Sequence, residues 1–118
     1  MQTELNALAE EIHRTSVDRG WWSHGSERPL DGLLMLVVCE VAEAMEEWRS
    51  NHEPSEVYFK ELKAGGGVKP EGVPIELADV IIRVLDVCAA YGIDIDAAME
   101  TKMAFNKTRP MRHGGKRT

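Results

Sequence analysis

Basic charge is scarce in this 118-residue chain, which sets 14 Lys and Arg against 20 Asp and Glu for a formal net charge of −6. That balance argues against a general nucleic-acid binder, which needs a basic face. Long apolar runs are lacking too. The longest, Leu33 to Cys39, has seven residues, far short of the ~18 that a membrane helix requires. The first residues carry neither a basic start nor an apolar signal core, so the expectation is a cytoplasmic protein with no membrane partner. Cysteine is limited to Cys39 and Cys88. Neither has a CxxC or Cys/His companion, which argues against zinc and leaves two reduced core thiols as the expectation. The length suits one domain over residues 1–118.

What is present is mostly helical pattern. Leu5, Leu8, Ala9 and Ile12 recur at spacings of three and four, giving a first helix from about Thr3 to Asp18 that Gly20 ends. Asp31 is a candidate N-cap for a long second helix reaching Ser50. Residues 51–72, with Pro54, Gly65, Gly66, Gly67, Pro70 and Gly72, read as a flexible insertion with a short helix near Ser55 to Leu62. Pro74 suits the first turn of a third helix that stops at Gly92. Asp94 or Asp96 can cap a fourth, running to about Asn106, ahead of a loose tail over 108–118. No segment alternates convincingly as a strand, so the expected class is all-α with a four-helix core.

The acids are arranged. On a helical wheel Glu76, Asp79, Arg83 and Asp86 share an arc of about 80°, and the rest of the third helix is apolar. On the second helix Glu40, Glu43 and Glu47 continue a stripe begun by Leu33 and Leu36, again within about 80°. Glu46 and Arg49 fall outside it and read as an ordinary solvated face. Half-buried carboxylates cost several kcal/mol unless paired with charge or strong donors. Only Arg83 stands among them, so the stripes imply a cation. All-oxygen ligands suit Mg²⁺, Mn²⁺ or Ca²⁺ better than zinc. A carboxylate di-iron bundle would want Glu-x-x-His pairs, and no inward Glu has a His three residues on.

Glu40-Val-Ala-Glu43, a 32-residue spacer and Glu76-Leu-Ala-Asp79 resemble the ExxE…ExxD signature of the all-α nucleoside triphosphate pyrophosphohydrolases, most of all the MazG-like proteins. Lys102-Met-Ala-Phe-Asn106-Lys-Thr-Arg109 is similar to the segment that closes the substrate site in that superfamily, and Arg109 to Lys116 resembles the tail of a MazG-like subgroup. The resemblance covers roughly residues 30–116. It implies Mg²⁺-dependent hydrolysis of a nucleoside triphosphate between the α and β phosphorus atoms, with Mn²⁺ a possible substitute. Glu40, Glu43, Glu76 and Asp79 would hold the metal, and Lys102, Asn106, Arg109, Arg112 and Lys116 would bind substrate. Many members carry an extra Glu directly before the first signature Glu; Cys39 stands there in this chain. Glu47 is then the candidate, beside Glu43, to accept the proton of the attacking water.

Trp22, like Trp21, can either stack on a base or pack the first helix. His24 and His113 lie in Gly-containing loops without metal-ligand spacing. Narrower readings within the same chemistry are a dUTP-type or phosphoribosyl-ATP pyrophosphohydrolase, and outside it a non-catalytic helical dimerisation module. So apolar a third helix exceeds what one small chain can cover, which implies a homodimer or homotetramer.

Overall fold

A computed structural model describes residues 4–22 and 29–110. Four helices, α1 (Leu5–Asp18), α2 (Leu30–Arg49), α3 (Val73–Ala90) and α4 (Ile95–Thr108), are joined by one small hairpin, β1 (Tyr58–Glu61) and β2 (Val68–Glu71). The protein is mostly helical, as the periodicity predicts. No helix among the described residues is long and apolar enough to cross a membrane.

Helix α3 is the centre, packed on one side by α1 and on the other by α2. Its start follows the expected logic, with Pro74 in the first turn, where the missing N–H leaves no bond unmade. Asp94 caps α4 by accepting from the Ala97 amide at 3.0 Å. Asp31 does not cap α2. It sits in the first turn, and the cap position falls to Pro29, with no side-chain bond. A carboxylate there still favours the positive end of the helix dipole.

The expected four-helix core is in fact built on three. The buried apolar residues are Ala9, Leu33, Ala44, Leu85, Val87 and Cys88, and α4 contributes none. Cys88 is a core thiol, raised in pKa by its burial, whereas Cys39 is exposed. The 100° step of α2 carries Cys39 away from the α3-facing line through Leu33, Glu40 and Ala44.

Helix α4 docks through its N-terminus on that of α1. The Asn6 side-chain oxygen accepts from the amides of Ile95 and Asp96 at 3.0 and 3.3 Å. Its Nδ2 donates to Asp94 Oδ1 at 2.9 Å, which lowers the Asp94 pKa. In return the Asp96 carboxylate accepts from the amides of Leu5 and Asn6 at 3.0 and 3.3 Å. Each helix thereby caps the other, satisfying donors that a helix start leaves open.

The insertion is a hairpin where a short helix was expected. Tyr58 pairs with Glu71, Phe59 with Pro70, Lys60 with Lys69 and Glu61 with Val68. Aromatic and β-branched residues favour the pleat, and Pro70 is tolerated because both strands are edges. Alternation sets Tyr58, Lys60, Lys69 and Glu71 on one face. That face is anchored to α2: the Tyr58 hydroxyl donates to the Glu47 carboxylate at 2.7 and 2.9 Å.

Between β2 and α3 the chain turns at Gly72, buried, with φ +126°. A Cβ there would run into the Glu56 carbonyl oxygen, so both backbone conformation and space demand glycine. Gly72→Ala is expected to cost about 2 kcal/mol of stability in denaturant unfolding. An unchanged midpoint would show that this turn does not hold the hairpin on the helices.

Candidate functional site

The inner line of α2 and the first turns of α3 place carboxylates between the two helices. Glu40 and Glu76 are each 8% exposed, and carboxylate oxygens of Glu40, Glu43 and Glu76 lie within 4.8 Å of one another. Asp79, one turn after Glu76, is half-buried and close enough for its charge to raise Glu43 and Glu76. Like charges at that separation repel by roughly 3 kcal/mol a pair at an effective dielectric of about 20.

Counter-charge is sparse. Arg83 donates from Nε to Glu40 Oε1 at 2.7 Å, and the charge of Lys69 reaches Asp79. The Glu76 carboxylate makes no hydrogen bond or ion pair among the described residues. Three pKa values move upward. Glu43 is raised chiefly by the charge of Glu40, Glu76 chiefly by burial and then by Glu43, and Asp79 by burial and then by Glu40. A buried carboxylate with no donor among the described residues, inside a cluster of its own sign, has the chemistry of an oxygen donor set for a cation. The residues fit an oxygen-preferring divalent ion. Ligand oxygens around Mg²⁺ stand about 3 to 4.2 Å apart, so separations of up to 4.8 Å must close by at most about 1.8 Å.

Glu47, the alternative proton acceptor, is a turn beyond Glu43. Both its oxygens accept from Tyr58, whose pKa is pushed up to about 12, first by that bond. Glu47 is therefore held in place, while Glu43 is exposed and open to a water. Glu46 and Arg49 form the solvated pair expected of the outer face, 2.9 Å apart and each about two-thirds exposed.

Beside the cluster lies a cavity of about 380 Å³ between α1, α2 and α3. Glu40 and Asp79 line it, together with Trp21, Trp22 and Ser16. Trp22 is part of its wall. Its indole N–H donates to Ser16 Oγ and Asp86 Oδ2, both at 3.0 Å, and its ring meets His13 edge-on. Asp86, on the stripe of Glu76 and Asp79, is thus occupied elsewhere. It accepts from Ser16 Oγ at 2.8 Å and lies 2.6 Å from His13 Nδ1, tying α1 to α3. The flatter opportunity is Trp21, more than half exposed, with the Arg83 guanidinium 5.6 Å from its ring centroid.

Of the predicted substrate-binding residues on and after α4, the described ones do not line the cavity beside the acids. Lys102, Asn106 and Arg109 are exposed on and just past α4, and none lines the cavity. Lys102 and Arg109 flank the Phe105 ring at 5.0 and 5.8 Å. Arg112, Lys116, His24 and His113 lie outside the described residues. Sequence reasoning missed Lys60, Lys69 and Glu71, which share the Tyr58 face of the hairpin. The signal was the period-two spacing of those residues, too short to stand out.

No protein-family model matches the chain, and no solved structure matches it. A stretch of 36 residues, 30% of the chain, is 42% identical to a protein of cyanophage S-2L described as a dATP/dGTP diphosphohydrolase. The match spans about a third (34%) of that protein's length.

Because the carboxyls of Glu43, Glu76 and Asp79 bind protons more tightly folded than unfolded, their ionisation lowers stability. The loss grows as pH rises from the ordinary carboxylate range through the raised values. With chelator present, Glu76→Gln should melt at a higher temperature than the native chain at neutral pH, and the gap should narrow on acidification. A variant less stable than the native chain at neutral pH would contradict the cluster's electrostatics.

Proposed function

We propose that the protein is a Mg²⁺-dependent nucleoside triphosphate pyrophosphohydrolase, cleaving between the α and β phosphorus atoms to give monophosphate and pyrophosphate. The observation that carries this is Glu76, buried and without a donor among the described residues, close to Glu40 and Glu43 beside a cavity of about 380 Å³. Similarity over 36 residues to a protein named for dATP and dGTP supports a deoxynucleoside triphosphate as substrate.

Glu40, Glu43, Glu76 and Asp79 would hold the ion, with Mn²⁺ able to replace Mg²⁺. When bound, it supplies charge neutralisation at the phosphates and a more acidic water. The remaining work falls to the chain. Glu43, open to solvent and raised in pKa by Glu40, accepts the proton of the attacking water. Arg83 fixes Glu40. Lys60 and Lys69, on the hairpin face that meets α2, bind phosphate oxygens left free by the metal. The nucleoside enters the cavity, its base against the exposed Trp21 ring, while Trp22 forms the wall.

The working unit is a homodimer or a larger homo-oligomer. Leu34, Val38, Val41, Met45 and Trp48 recur at spacings of four and three along α2, and each is 50–56% exposed. Such a seam suits a second helix of the same kind. Helix α4 is exposed over nearly its whole length, so Lys102, Asn106 and Arg109 are available to the site of a second copy.

Incubation of the native chain with dATP, dGTP, dCTP, dTTP and dUTP in Mg²⁺ should release pyrophosphate and a monophosphate from at least one of them, with Glu76→Gln slower by at least about 100-fold. Release of orthophosphate and a diphosphate, or an unimpaired Glu76→Gln, would overturn the reading. Light scattering should give a dimer or tetramer for the native chain and a smaller species for Val41→Asp. A native monomer would remove the shared-site argument.

A further inference from the structure

The cavity between α1, α2 and α3 has more polar lining than the proposed reaction uses. Glu40 is bonded to Arg83, and Ser16, Trp22 and Asp86 are bonded to one another. Three lining residues are left over: Glu11, Thr15 and Arg19. They stand at i, i+4 and i+8 along α1 and share one face. Arg19 belongs to that face although it follows the last helical residue, because its amide still bonds to the Thr15 carbonyl oxygen at 3.0 Å. All three are exposed, and none makes a side-chain hydrogen bond or ion pair among the described residues. On an outer helix face such residues would simply be solvated, but these line the space given to the nucleoside. On the reading that a nucleoside fills this cavity, we infer that Glu11, Thr15 and Arg19 read the edge of its base, and that guanine is the base they fit.

The choice of guanine follows from the donor inventory. An ionised carboxylate only accepts hydrogen bonds, and a guanidinium only donates them. A base that fully satisfies both must turn paired donors to one and paired acceptors to the other. Guanine does so, with N1–H beside its 2-amino group and O6 beside N7. Glu11 accepts from the two donors, and Arg19 gives two parallel bonds to the two acceptors. Adenine has one amino group for the carboxylate, and it stands beside N7, where a guanidinium would meet a donor. Cytosine likewise offers the carboxylate a single amino group. Thymine and uracil flank one N–H with two carbonyl oxygens, which a carboxylate repels. Two helical turns separate Glu11 from Arg19 by about 12 Å, a span that an arginine, a glutamate and the base between them can bridge. The Thr15 hydroxyl, midway, can donate or accept. Trp21, two residues beyond Arg19, lines the same cavity and supplies a ring for the base to stack on.

Binding tests this apart from hydrolysis. Calorimetry in Mg²⁺ would use the α,β-methylene analogues of dGTP, dATP, dCTP, dTTP and dUTP, which resist cleavage at the proposed bond. The guanine analogue should bind the native chain most tightly, by at least about 10-fold over each of the others. Glu11→Gln and Arg19→Ala, both at exposed positions, should each shrink that margin by about 10-fold. Equal binding of all five overturns the base assignment and leaves the hydrolysis reading standing. Tightest binding of another base overturns guanine. An unchanged margin in either variant removes that residue from the base reader. Guanine selectivity with no pyrophosphate release from dGTP sinks the hydrolase reading and keeps the base site, whereas failure to bind any analogue removes both.

Discussion

Negative charge held in a protected place is the constraint to which the rest of this molecule answers. Helices α2 and α3 approach each other along a line that could have been apolar throughout. Instead Glu40 and Glu76 are buried on it, with Glu43, Glu47 and Asp79 beside them. Such an arrangement is unfavourable in the chain alone, because repulsion and desolvation act in the same direction. It persists because α1 and the hairpin brace it from two sides. Asp86, His13, Ser16 and Trp22 tie α1 to α3, and Tyr58 ties the hairpin to α2. Stability is given up at the interface where binding energy can be recovered, as at many functional sites.

The bracing also shapes what can enter. Trp22 is fastened to Ser16 and Asp86 and so makes a rigid wall. Trp21, one residue earlier, is left exposed near Arg83. A cavity lined by both acids and aromatic rings suits a ligand with a phosphate chain and a flat base. The hairpin adds Lys60 and Lys69 on the side facing α2, giving the acidic surface a basic margin.

Legibility in the sequence followed the range of the interactions. Apolar residues at spacings of three and four placed α1, and Pro74, Gly92 and Asp94 marked ends of α3 and α4 because caps and breakers act within a turn. The acid stripe showed for the same reason: two short motifs on regular helices fix which side chains share a face, and the structure brings Glu40, Glu43 and Glu76 together. What stayed hidden depends on distant partners. Asn6 with Asp94 and Asp96 joins segments some 90 residues apart, and nothing local to either announces it. The hairpin escaped because its strands have four residues each and its anchor, Tyr58 on Glu47, is tertiary. Glu71 was hidden with it. Asp86 misled, since a shared stripe does not say that its carboxylate is already engaged by α1.

We propose that Glu40, Glu43 and Glu76 converge in order to bind a divalent cation. Crystals of the protein grown in Mn²⁺ and measured at the manganese absorption edge test it most directly. An anomalous peak is expected among these carboxylates, about 2.2 Å from their oxygens. A cluster that stays empty in millimolar Mn²⁺, with Glu76 buried and metal density confined to other parts of the surface, would contradict it.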